Sequence, residues 1–190
     1  MVNKTIQKTT PNFLFYSFES FLPIFFYQVL KNSECSIVVL KEYLTLAFKV
    51  LKSHIGTQYS LLSCISGVDL VRKNYRFMVS YELLSLTYNS RIRVKTFVNE
   101  YSILSSITPI FESANWWERE VWDMYGIYFE NHPDLRRILT DYGFEGYPLR
   151  KDFPLIGFYE FRYNNNTKTI VADLVRFSQD YRYFNYEMPW

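Results

Sequence analysis

Carboxylates and guanidinium groups crowd one part of this chain. Between Asn115 and Leu155 it reads NWWEREVWDMYGIYFENHPDLRRILTDYGFEGYPLRKDFPL and carries Glu118, Glu120, Asp123, Asp141, Glu145 and Asp152. Two such groups on one face could run acid–base or hydrolytic chemistry. The spacing argues against it. Glu118 and Glu120 are two apart, so on a helix they point different ways. Arg119, Arg136, Arg137, Arg150 and Lys151 stand among the acids, which favours ion pairs of structural use. His132 precedes Pro133 and reads as a hydrogen-bonding or capping residue rather than a general base.

Other chemistries fall to arithmetic. Two cysteines, Cys35 and Cys64, and two histidines, His54 and His132, cannot make a zinc site of standard spacing or ligate an iron–sulfur cluster within this chain. Both cysteines read as small buried hydrophobes in a reducing compartment. There is no Gly-rich phosphate loop, GxSxG or HExxH, so no redox or phosphate cofactor of its own is expected. Arg91, Arg93 and Lys95 could meet nucleic acid, but a net charge of +2 is too small for that partner. They read as the wet face of a strand. What remains is a structural subunit, since Trp, Tyr and Arg are the residues interfaces favour. The aromatic content of 20% fits AT-rich coding as well as docking.

These residues need a scaffold, and periodicity supplies one. Phe13 to Leu30 is rich in Phe but holds Glu19, Pro23 and Gln28, which argue against a membrane span. It reads as a helix broken or begun near Pro23. Ser36 to Leu40 reads as a buried strand, and Lys41 to His54 as an amphipathic helix ended near Gly56. Tyr59–Val68, Tyr75–Leu84 and Arg91–Val98 follow as an antiparallel meander with one wet face. Ser102 to Phe111 reads as a short helix interrupted at Pro109. Asn115 with Glu118 forms a capping box for a helix that Gly126 ends, with Arg119 and Asp123 paired inside it. Pro133 suits the first position of a second helix running to Leu139. The Gly- and Pro-rich stretch after it is an ordered loop anchored by Tyr142, Phe144, Tyr147 and Phe153. Phe158–Tyr163 and Lys168–Ala172 form a hairpin, and Phe177 to Trp190 an extended aromatic tail. The expected class is α+β: a mostly antiparallel sheet with helices on one side, then loop, hairpin and C-terminal arm. The expected division is a Phe-rich extension at 1–33, a domain at 34–173 and a docking tail at 174–190.

One resemblance is long enough to be specific. Glu118-Arg119-Glu120-Val121-Trp122-Asp123-Met124-Tyr125-Gly126-Ile127 is followed by His132-Pro133-Asp134-Leu135-Arg136-Arg137-Ile138-Leu139. Thr140-Asp141-Tyr142-Gly143-Phe144-Glu145-Gly146 and Pro148-Leu149-Arg150-Lys151-Asp152-Phe153-Pro154-Leu155 continue it. Together they resemble the signature of the thirty-kilodalton subunit of respiratory complex I, the proton-pumping NADH:ubiquinone oxidoreductase, most of all its mitochondrially encoded form. Ile65–Asp69 and Tyr88–Val94 resemble the family's strands, and Tyr183, Phe184 and Trp190 its tail. The resemblance implies a core subunit of the hydrophilic arm, on the matrix side of the mitochondrial inner membrane, with no transmembrane span. It implies a place in the quinone-reducing module, against the forty-nine-kilodalton subunit and near iron–sulfur subunits, with accessory subunits possible at the N-terminus. FMN and iron–sulfur clusters would sit in neighbouring chains, with none here. The signature residues would form the subunit interface. Tyr147 departs from the pattern, because many members carry His between that Gly and Pro.

Overall fold

Alternation builds the centre of the molecule. In Phe77–Ser85 (β4), Phe77, Val79, Tyr81 and Leu83 are buried; in Ser90–Val98 (β5), Ile92, Val94 and Val98 join them. A period of two sets each group on one face of its strand. Asn89 turns the chain between them at φ 47°, a left-handed conformation that Asn tolerates. Leu61–Asp69 (β3) completes the expected antiparallel meander along β4.

The computed structural model describes the backbone of residues 24–29 and residues 35–71, 75–177, 179, 180, 182 and 184. Cys35–Val39 (β2) pairs in parallel with β5, and Ile24–Val29 (β1) pairs antiparallel with β2. The result is a five-stranded sheet of order β1-β2-β5-β4-β3. The segment after Pro23 is therefore a strand, correcting the expected helix. Its aromatic and β-branched content suits a pleat beside an open edge at β2. The rest of that Phe-rich segment lies outside the described residues.

Leu44–Ser53 (α1) follows a single 3-10 turn, and buries Leu44, Ala47, Phe48 and Leu51, the i, i+3, i+4, i+7 stripe of a helix lying on a core. Gly56 does not cap it. The chain leaves the helix extended at His54, and Gln58 takes the left-handed turn. Phe48 meets Tyr81 edge-on at 5.0 Å. Ala114–Tyr125 (α2) covers the same sheet face. Tyr125 meets Phe77 at 6.3 Å, and a Cβ on Gly67 would fall 2.6 Å from the Tyr125 ring. Both helices thus lie on one side, as expected. Each fully buried Leu or Phe between them contributes about 1.5–3 kcal/mol.

The helix expected over Ser102–Phe111 does not form. Pro109 prevents its completion, and the Leu104 and Ser106 N–H groups donate instead to the Tyr128 and Glu130 carbonyls. Leu104–Ser105 (β6) thereby pairs in parallel with Phe129–Glu130 (β7).

Contacts group the chain into two compact units, Met1–Lys151 and Asp152–Trp190. In the second, Tyr159–Asn164 (β8) and Thr169–Leu174 (β9) form the expected hairpin. Its register sets Tyr159, Phe161 and Tyr163 opposite Leu174, Ala172 and Ile170, all of them exposed. Arg162 pairs with Asp173 across the strands. No helix among the described residues is long and apolar enough to cross a membrane.

Candidate functional site

The helix that carries the charged motif begins earlier than its sequence suggests. Ser113 holds the N-cap position of α2 with no side-chain cap bond, and Asn115 lies inside the helix. The expected capping box is therefore absent. Glu118 instead turns fully inward, accepting hydrogen bonds from Ser106 Oγ at 2.6 Å and the Ile107 N–H at 2.8 Å. Burial pushes its carboxyl up to about 7, against the downward pull of those two bonds. His132 Nε2 stands 3.9 Å away. The Asp134 N–H donates to His132 Nδ1 at 3.1 Å, which leaves the proton on Nε2, 3.2 Å from the Asn115 carbonyl. The buried Tyr81 phenol is pushed up by burial and then by the charge of Glu118, and its hydroxyl has no hydrogen-bond partner among the described residues.

Asp123 is also wholly buried, and its partners are numerous. It does not pair with Arg119. Its Oδ2 accepts the N–H groups of Ile138, Leu139 and Thr140 at 3.2, 2.8 and 3.0 Å. Its Oδ1 takes the Thr140 hydroxyl at 2.7 Å and Arg137 Nη1 at 3.2 Å. Burial pushes this carboxyl up, but the Thr140 hydroxyl and the three backbone donors outweigh it, leaving it below the ordinary carboxylate value. This cradle explains why no helix runs from Pro133 to Leu139. The N–H groups such a helix would enclose are already bound to Asp123.

Gly126 ends α2 in the left-handed conformation, φ 75°, its N–H donating to the Trp122 carbonyl. A Cβ there would meet the Tyr147 ring at 2.6 Å and Arg150 Nη2 at 2.7 Å. Arg150 Nε donates to the Tyr125 carbonyl at 2.6 Å, and its guanidinium lies against the Phe77 and Tyr147 rings at 5.2 and 4.4 Å. It also pairs with Glu100, which pairs with Arg76, which pairs with Asp69. Asp69 in turn accepts the Lys151 N–H at 2.9 Å. Tyr147, at the position where the resembling family often has His, packs edge-on against Trp122 and by its face against Arg137 and Arg150. The loop's aromatics divide. Phe144 faces Arg137 and Phe153 meets Phe158, but the Tyr142 ring is fully exposed and anchors nothing among the described residues.

The other singled-out residues lie as follows. Glu120 is half-buried; Pro133, Glu145, Lys151, Asp152 and Phe184 are exposed. Arg136 and Asp134 form an exposed pair at 2.8 Å. Asp141 accepts the Tyr142 N–H, and Gly143 and Gly146 take φ of 72° and 97°. Tyr183 and Trp190 lie outside the described residues. The structure thus brings Glu118 to His132 and Asp123 to Arg137, but does not gather the carboxylates into one acid–base pair. Sequence reading missed Ser106, Thr140 and Glu100, which carry no local signal because their partners are distant in the chain. Cys35 is buried, as expected, and burial holds its thiol at about 12. Cys64, expected to be buried too, is half-exposed in a cavity of about 350 Å³ shared with Glu82, Arg91 and Arg93.

These features define an α+β domain in which Glu118, Asp123, Arg137 and Arg150 of the motif are engaged inside the fold, while Asp134, Arg136, Asp141, Glu145, Lys151 and Asp152 stay exposed. The sequence matches the family described as respiratory-chain NADH dehydrogenase, 30 Kd subunit, over residues 37–159. It is 51% identical over 164 residues to NADH-ubiquinone oxidoreductase subunit 9 of Prototheca wickerhamii, covering 86% of this chain and 85% of that one. It is 53% identical over 149 residues to NADH dehydrogenase (ubiquinone) iron-sulfur protein 3 of Arabidopsis thaliana, covering 78% of each. The structure is similar to the trypsin-resistant fragment (1-134) of Nqo5, with TM-score 0.53 and 32% identity, covering 57% of this chain and 88% of that one. The chain belongs to the family of the respiratory-chain NADH dehydrogenase 30 kDa subunit. It is a subunit of the NADH:ubiquinone oxidoreductase of respiratory electron transport.

The Arabidopsis relative's name contains the words iron-sulfur, which asks whether this chain could hold a cluster. The donors do not fit. A cluster takes four ligands, and although the chain has two cysteines and two histidines, no three His, Cys, Asp or Glu side chains among the described residues are gathered where they could hold a metal ion.

Proposed function

We propose that this chain is a cofactor-free core subunit of the hydrophilic, matrix-side arm of the mitochondrial enzyme. There it supports the assembly and architecture of the quinone-reducing module, lying against the forty-nine-kilodalton subunit with iron–sulfur subunits nearby. FMN and the clusters belong to neighbouring chains, and this chain alone does not turn over NADH.

One observation carries the reading. The hairpin after Lys151 turns Tyr159, Phe161, Tyr163, Ile170 and Leu174 outward, each between 53 and 73% exposed. A lone two-stranded ribbon is at best marginally stable, and a contiguous apolar patch of this kind marks a protein contact.

A native gel with in-gel NADH oxidation, followed by mass spectrometry of the active band, tests the proposal. The chain should run in that band with the forty-nine-kilodalton subunit, and the isolated chain should be colourless and inactive. NADH oxidation by the isolated chain would overturn it.

A further inference from the structure

Arg119 is the one motif cation that the fold buries without an acid. It is 6% exposed. Its Nε donates to the Arg136 carbonyl at 3.1 Å, and the guanidinium carbon lies 4.8 Å from the centre of the Trp116 ring. Among the described residues no carboxylate pairs with it. Neither Nη is among the fully buried polar atoms left without a partner, so each keeps a narrow contact with solvent.

A guanidinium remains charged in a protein and cannot escape burial by losing its proton. Burying one without an anion is costly, and removing it from water is repaid only by close, well-shaped pairing. Here the Nε bond and the Trp116 face fix the plane of the group, which leaves the Nη pair ready for a two-oxygen acceptor. The surroundings narrow the ligand. Trp116 is 64% exposed, and the nearby Arg136 is already paired with Asp134. A single half-sheltered cation without an acid, beside an exposed indole, has the composition of a protein hot spot. It is not the clustered positive charge that a nucleic acid or anionic lipid surface requires.

We propose that Arg119 is the receptor for a carboxylate side chain of an adjoining protein chain, taken up against the Trp116 indole. The inference rests on the chain's place in a multisubunit enzyme and not on which subunit lies against this face.

The full-length chain carrying Arg119→Met tests it in two settings. Alone, the variant should melt at or above the wild-type temperature, since it replaces an unpaired buried cation by an apolar side chain. In the oxidoreductase, retention of the variant through purification should fall roughly tenfold or more, as for a buried charge pair that loses one partner. Arg119→Lys should fall between, because a lysine keeps the charge but not the fork. Trp116→Ala should weaken retention without lowering the melting temperature. A lowered melting temperature for isolated Arg119→Met would make Arg119 a structural residue and overturn the inference. Wild-type retention of Arg119→Met would overturn it too. Failure of the wild-type chain itself to enter the complex would instead remove the reading under "Proposed function".

Discussion

The two halves of α2 each bury a carboxylate completely, and they treat its charge in opposite ways. Glu118, near the start, has two hydrogen-bond donors and is pushed up to about 7. Asp123, toward the end, has donors from three backbone groups, a hydroxyl and a guanidinium, and lies below the ordinary value. Burial acts upward on both, more strongly at Glu118; at Asp123 the donors outweigh it, and at Glu118 they do not. One half of the helix therefore holds a group whose proton is easily exchanged near neutrality. The other holds a fixed anion around which a loop is wound.

Removing the Asp123 carboxylate should have the largest effect. Asp123→Ala takes the acceptor from three backbone donors and the Thr140 hydroxyl and leaves Arg137 with only neutral acceptors such as the Gly146 carbonyl, and should cost about 3–5 kcal/mol of stability. Hydrogen exchange at Ile138, Leu139 and Thr140 should quicken together, and unchanged protection there would break the contrast. The pH response separates the halves next. Glu118 binds its proton more tightly folded than unfolded, so its contribution is present below about 4.5 and lost as pH rises to about 7. A shift of that size is worth about 3 kcal/mol. Denaturant melts between those pH values should show the loss in wild type, and Glu118→Gln should flatten it. Asp123 has the opposite sign, its contribution being present above the unfolded carboxylate range and lost as pH falls from that range through its lower folded value. At the helix end, Gly126→Ala should cost about 1–3 kcal/mol for its left-handed backbone, with a changed Tyr147 environment by NMR. Smallest is Arg136→Ala, whose exposed pair with Asp134 should change the melt by less than about 0.5 kcal/mol, while lowering the abundance of the assembled complex on a native gel.

The same helix shows what was legible in the sequence. Gly126 read as its stop, because the left-handed residue is a local requirement. The β3–β5 meander and the apolar stripe of α1 were legible because period alone encodes them. Asn115 and Glu118 also had the local form of a capping box, yet Glu118 is drawn to Ser106 and Ile107 from outside the helix. Pro133 likewise had the form of a helix start, and Asp123 claimed the N–H groups that follow it. In both places a buried carboxylate overrode a local rule, and local patterns cannot reveal which distant donors will meet it. The Phe-rich stretch before β2 had no decisive period, and the open sheet edge made its last part a strand. The family motif itself was legible, since its length made the resemblance specific. Its internal partners, Glu100 and Thr140 among them, were not.

The order of strands also sets a schedule for synthesis. β3, β4 and β5 follow one another along the chain, whereas Cys35 on β2 lies opposite Ile92 on β5. A nascent chain emerging from the ribosome therefore presents β2 and α1 long before the strand that completes their half of the sheet exists. Contacts between residues so far apart in sequence slow folding, and apolar segments left waiting are open to aggregation. The meander can close on itself at once; the N-terminal strands must remain available until the last residues of β5 arrive.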